Sequence, residues 1–280
     1  MKIGVGLPAT VPGAPGRLVV DWAAQADAGP FAAVGVLDRL RYDNVEPLTA
    51  LAAAAAVTRR VELVTMIVIA PLRQAATLAK QAASVHALSE GRLVLGMGIG
   101  ARADDYELAG VPTAGRGERF GEQLGKLRDL LEDPALGPRR TEDRPRILVG
   151  GSSGPALARM ARFADGYVHG GGPPRAFERA AGEAVGAWAD GGRPGRPELW
   201  GQGYFGLGPD AERGADYLLD YYAFTGPFAQ RIAEGNLTTP QAVKAFVRGY
   251  AEAGCDGLIL FPTIAEPQQL DRLADVMASA

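Results

Sequence analysis

Apolar and polar positions alternate along this chain in a repeating unit, clearest between Val61 and Gly100. Val61 to Ile69 is short, apolar and β-branched, which predicts a fully buried strand ended by Pro71. From Arg73 the period changes to helical: Leu78, Ala79, Ala82, Val85 and His86 form one stripe, with Lys80 and Gln81 outside it. Ser89-Glu90-Gly91 stops that helix, and Arg92 to Met97 is a second apolar run. Strands joined by a crossover helix are parallel neighbours.

The same unit recurs on both sides. Strands are predicted at Lys2 to Pro8, Phe31 to Leu37, Arg146 to Val149, Gly166 to His169, Glu198 to Leu207 and Gly257 to Phe261. Helices are predicted at Leu18 to Ala28, Glu46-Pro47 to Val57, Glu118 to Leu131, Gly154 to Phe163, Pro173 to Ala189, Thr239 to Ala253 and Glu266 to Met277. Ala101 to Arg116 reads as a long polar loop. Ala211 to Gly235 reads as the least regular stretch, crowded with Tyr217, Leu218, Tyr221, Tyr222, Phe224 and Phe228. Eight strands in 280 residues give about 35 residues per unit, which predicts a (β/α)8 TIM barrel spanning 1–280 as a single domain.

Composition narrows the function classes. At 47% hydrophobic the chain supports a large core, and a net charge of −3 without a basic block argues against a nucleic-acid partner. One cysteine, Cys255, precludes an internal disulfide and points to a reducing compartment, and two distant histidines give no ordinary zinc ligand set, so no metal site is expected. Leu48 to Val57 is too short to span a bilayer, and Lys2 opens a strand directly; a soluble cytoplasmic protein without membrane contact is expected.

In a barrel of this kind the site lies at the C-terminal ends of the strands. The candidates there are Asp38 and Arg39, Thr65 to Ile69 (including Met66 and Ile67), Gly98 to Asp105 (including Gly100 and Arg102), Gly150 to Gly154, His169, Tyr204 to Leu207 and Phe261-Pro262. Gly150-Gly151-Ser152-Ser153-Gly154 before a helix is either an anion site or a tight turn with serine caps. Gly96 to Gly100 lacks the dinucleotide spacing; its glycines serve either close approach to a bound ring or barrel packing. Asp38-Arg39 is either a charged pair beside a ring or a solvated loop pair. His169 is either a proton donor or a structural histidine; His86 and Cys255 read as structural. The aromatic group from Tyr217 to Phe228 is a pocket wall, a lid, core or a subunit contact.

With these segments in order, the chain resembles the bacterial luciferase-like family of flavin-dependent oxidoreductases. The resemblance is carried by Thr65 to Gly100 with its LAKQAAS and GRL segments, by Asp105-Tyr106-Glu107, by ILVGGSS at Ile147 to Ser153, and by ADG at Ala164 to Gly166. It implies a barrel that binds FMN or, in a sister branch, the deazaflavin coenzyme F-420. It also implies a non-proline cis peptide at Met66-Ile67 backing the flavin ring, and the Gly151-Ser152-Ser153 loop near the cofactor phosphate. Asp38 matches the family's acidic residue after strand two, where Asp-His is usual and this chain has Asp38-Arg39. The first activity this suggests is monooxygenation with O2 and reduced FMN, delivered by a separate flavin reductase, and the Tyr/Phe-rich segment suggests a small apolar or aromatic substrate. Arg39 or Arg102 would stabilise an anionic oxygen, and His169 would donate a proton. Deazaflavin-dependent hydride transfer and non-catalytic flavin binding are the alternatives. A homodimer is implied by the resemblance alone.

Overall fold

The structure is a computed structural model that describes residues 1–138 and 144–278. Nine strand segments form one all-parallel sheet. They are β1 (Lys2–Gly6), β2 (Ala33–Val36), β3 (Glu62–Thr65), β4 (Val68–Ile69), β5 (Leu93–Gly98), β6 (Arg146–Gly150), β7 (Gly166–Val168), β8 (Glu198–Phe205) and β9 (Gly257–Pro262). β1 pairs with both β2 and β9, and β3 pairs with β5, so the sheet closes. Because β3 and β4 are two parts of the third strand, the barrel has eight strands, as the repeat predicts.

Around it lie α1 (Gly16–Ala28), α2 (Pro47–Val57), α3 (Ala75–Leu88), α4 (Ala103–Leu108), α5 (Arg116–Glu132), α6 (Gly154–Phe163), α7 (Pro174–Asp190), α8 (Arg213–Tyr221), α9 (Phe228–Glu234), α10 (Pro240–Glu252) and α11 (Gln268–Ala278). The stripe predicted on α3 is buried, His86 included. Two stretches depart from expectation. The polar loop at 101–116 contains α4, whose Asp105 and Tyr106 are buried. The stretch at 211–235 is mostly helical, because Tyr217, Leu218 and Tyr221 fall on one face of α8 and bury together. Strong aromatic crowding concealed that period.

The barrel has two apolar layers. One lies between sheet and helices; the other fills the lumen with Val64, Val94, Leu148, Trp200, Ile259 and Phe261. At the N-terminal end the lumen is closed by charge. Lys2, Glu62, Arg146 and Glu198 come from the first, third, fifth and seventh barrel strands, one layer of alternate strands. Lys2 Nζ lies 2.8 Å from Glu62, Arg146 bridges Glu62 and Glu198, and Trp200 Nε1 donates to Glu198 at 2.8 Å. Cys255 lies at that end too, buried, its thiol donating to backbone carbonyls and pushed up to about 12 by burial.

The third strand carries the decisive irregularity. Val64 pairs with Val94 and Val68 with Met97, so four steps on this strand oppose three on β5. That is a bulge of one residue, and the Met66-Ile67 peptide within it is cis, where the resemblance implied it. The bulge drives the Thr65 carbonyl toward β5, where only glycine leaves room. A Cβ at Gly96 would lie 2.0 Å from that oxygen, one at Gly98 would meet Ile67 at 3.0 Å, and one at Gly100 would meet Ile69 at 2.7 Å. The glycine spacing of β5 is therefore the imprint of the bulge, and Thr65 Oγ1 donates across it to the Gly96 carbonyl at 2.7 Å. We predict that Gly96→Ala destabilises by about 3 kcal/mol or more, since the obstacle is backbone, and that Gly98→Ala costs about 1 kcal/mol, since its obstacle is a side-chain tip. Urea denaturation followed by circular dichroism checks both; equal costs would contradict the account.

Candidate active site

A cavity of about 420 Å³ opens at the C-terminal ends of the strands, within the range of small-molecule sites. Its floor and near wall are Leu37, Met66, Ile67, Gly98, Gly100, Gly150, Gly151 and Val168. Asp38, Arg102, Asp105, Arg116, His169 and Gln202 supply polar groups, and Tyr221, Tyr222 and Phe224 close the far side.

The Asp38-Arg39 pair is neither solvated nor ionically joined. Both side chains are buried and turn to different partners. Asp38 Oδ2 accepts from the Ile69 N–H at 2.7 Å and from Arg73 Nη1 at 2.6 Å, fastening the backbone just beyond the bulge. Burial pushes the Asp38 carboxyl up, and Arg73 opposes that rise. Arg39 Nε donates to Asp105 at 2.9 Å and its Nη2 to Asp104 at 2.9 Å; Asp105 also accepts from the Leu40 and Arg41 N–H groups. The guanidinium of Arg39 thus locks the loop after β2 to α4, and it does not line the cavity.

His169 reaches the cavity from the end of β7, its backbone N–H donating to the Trp200 carbonyl at 2.8 Å. Its Nε2 is buried without a partner, and burial holds its pKa below the ordinary 6.5. Thr65 lies behind the wall, buried under the bulge, and contacts the cavity through its neighbours Met66 and Ile67. Ser152 and Ser153 are exposed beyond the cavity lining, and Ser153 caps α6 by accepting from the Ala156 N–H, so the capping reading applies to it. Of the aromatic group, Tyr221, Tyr222 and Phe224 form wall, Tyr217 is buried against Thr10 at 2.7 Å, and Phe228 is exposed. Sequence reasoning gave no role to Arg73, Arg116 or Gln202. Arg73 stands in the quoted segment two residues after Pro71, and its charge beside a buried strand end was the available signal.

The family model for luciferase-like monooxygenases matches residues 1–254. The chain belongs to the luciferase-like monooxygenase family. Among relatives, an uncharacterised protein of Mycobacterium tuberculosis is 38% identical over 149 residues, 48% of this chain and 51% of its own length; another from the same organism is 30% identical over 173 residues, 56% and 60%. The matched part thus spans about half the length of the first of these curated relatives. Solved structures of the same fold include the monooxygenase RslO1 from Streptomyces bottropensis, at TM-score 0.80 and 23% identity, covering 100% of this chain and 98% of that one. An F420-dependent secondary alcohol dehydrogenase in complex with an F420-acetone adduct gives TM-score 0.83 at 15% identity, covering 99% and 98%. The coenzyme F420-dependent tetrahydromethanopterin reductase from Methanopyrus kandleri gives 0.72 at 15%, covering 98% and 97%. Among the described residues of this luciferase-like chain, no cluster of metal-ligating side chains occurs and no helix is long and apolar enough to cross a membrane.

Two outcomes follow for the site. Arg73→Ala leaves the Asp38 carboxylate buried and unpaired, with an expected loss of about 3–5 kcal/mol, and adding Asp38→Asn recovers part of it; a double-mutant cycle by chemical denaturation measures both, and additive losses would contradict the pairing. For His169, folding disfavours the imidazolium, so the ring is neutral at pH 7 and its contribution lowers stability as pH falls below 6.5. An NMR titration should place its midpoint below 6.5; a midpoint above that value would contradict the burial argument.

Proposed function

We propose that this protein is a flavin-dependent monooxygenase that binds reduced FMN in the cavity and oxygenates a small aromatic or apolar substrate with O2. The observation that carries the reading is an apolar ledge, Met66-Ile67 and Val168, facing a polar group with unmet hydrogen-bonding capacity, His169 Nε2. That combination fits a planar heterocycle held against a flat apolar wall with polar edges to satisfy. The bulge residues would back the ring, and the Gly150 and Gly151 backbone would pass beside it, leading to Ser152 and the start of α6 for the phosphate. The bound cofactor supplies the electrons and the activation of oxygen.

The chain's own residues do the rest. Leu37, Met66, Ile67 and Val168 exclude water from one side and Tyr221, Tyr222 and Phe224 from the other, which strengthens every electrostatic interaction inside. His169, neutral at pH 7 with Nε2 unpartnered, is set to take a proton rather than to give one. Arg39 is committed to Asp104 and Asp105, so its part is to hold the loop, and Arg102 and Arg116 are the guanidinium groups in reach of a ligand.

A second reading, hydride transfer with coenzyme F-420, is favoured by the two F420-dependent structures that share the fold. The deciding experiment is anaerobic titration with FMN, reduced FMN and F-420, followed by O2 uptake in the presence of a flavin reductase. Saturable binding of FMN in either redox state with substrate-dependent O2 uptake supports the monooxygenase. Binding of F-420 alone replaces it with the hydride-transfer reading; FMN binding without any turnover leaves a flavin-binding protein. In the active enzyme His169→Asn should lower turnover by about 100-fold with a much smaller loss of flavin affinity, and turnover that falls no further than the affinity would contradict a proton-transfer role.

A further inference from the structure

Of the two arginines that line this cavity, Arg102 and Arg116, Arg102 is the buried one. It is 9% exposed, in the loop between β5 and α4, with its Cζ 4.2 Å from the Tyr221 ring centroid and 4.3 Å from that of Phe224. Nη2 donates to the Tyr221 carbonyl, while Nε is buried without a partner. The acids of the cavity are already taken: Asp38 by Arg73, Asp105 by Arg39 and two backbone N–H groups. Among the described residues, no carboxylate stands within ion-pair distance of Arg102.

A buried cation without a counter-ion is unfavourable, and aromatic faces offset only part of that cost. Arg102 therefore keeps a buried N–H that the fold itself leaves unsatisfied. Resting on the flavin reading above, we infer that Arg102 anchors the anionic oxygen of a planar aromatic substrate, a ring carboxylate or phenolate, and so sets substrate choice. Three features favour a substrate over the cofactor phosphate here. Tyr221, Tyr222 and Phe224 surround the guanidinium with ring surface that suits an aromatic ligand and offers a phosphate nothing in exchange for its water. The glycine loop expected near the phosphate belongs to a different strand end, that of β6. Phe224 is 46% exposed, so this side of the cavity leads to solvent. Two parallel N–H donors of a guanidinium match a carboxylate in its plane, which gives direction as well as charge.

The test compares benzoate, salicylate and neutral benzamide as ligands, by calorimetric titration of the wild-type protein with and without saturating FMN. The anions should bind about tenfold or more tightly than benzamide. Arg102→Gln should erase that preference and leave FMN affinity unchanged, Arg102→Lys should keep part of it, and Phe224→Ala should weaken anions and amide alike. Equal affinities in the wild type, or no binding of any of the three, would overturn the inference. So would an Arg102→Gln variant that loses FMN affinity and keeps the anion preference, since Arg102 would then serve the phosphate. Should Arg102→Gln fail to fold, the wild-type comparison and the rim variant Phe224→Ala still decide. If FMN does not bind the wild type, the flavin reading falls, while the anion preference of the protein alone still tests Arg102.

Discussion

The site depends on one insertion in the third strand. Four residues opposing three force the Thr65 carbonyl against β5, and Gly96 is the residue that admits it. Asp38 then holds the far side of the bulge by accepting from the Ile69 N–H, and Arg73 supplies the charge that keeps that carboxylate buried. The result is a ledge, Met66-Ile67, projecting into the mouth of an otherwise filled barrel. A regular strand would have continued the packed lumen upward and left no wall for a planar ligand.

The two ends of the barrel show how one fold separates stability from chemistry. At the N-terminal end Lys2, Glu62, Arg146 and Glu198 neutralise one another in a closed layer. At the C-terminal end pairing is incomplete. Asp38 and Asp105 are matched, yet Arg102 and His169 keep buried nitrogen atoms without partners. Unmet polar capacity inside a cavity is what a binding site requires, since a ligand can supply what the fold withholds.

Most of the barrel was legible because buried parallel strands and amphipathic helices have different periods, and the two alternate throughout the chain. The cis peptide position was reachable through resemblance alone; periodicity read Val61 to Ile69 as one unbroken strand. The glycines of β5 were visible, but their cause was not, because the group they accommodate is a backbone carbonyl of another strand. Arg39 and Arg102 look alike in sequence. Only the fold gives one two aspartates and leaves the other beside three aromatic rings without a carboxylate partner among the described residues. Ser152 and Ser153 were likewise equal candidates until the helix start claimed Ser153 as its cap.

The central claim, a flavin seated on the bulge beside His169, can be tested with the chain's two histidines as reporters. His169 lines the cavity and His86 is buried on α3. In an NMR titration with FMN, we expect a saturable shift of the His169 ring resonances and an unmoved His86. Saturable FMN binding that leaves His169 unmoved, or that shifts His86 instead, would contradict the placement of the cofactor.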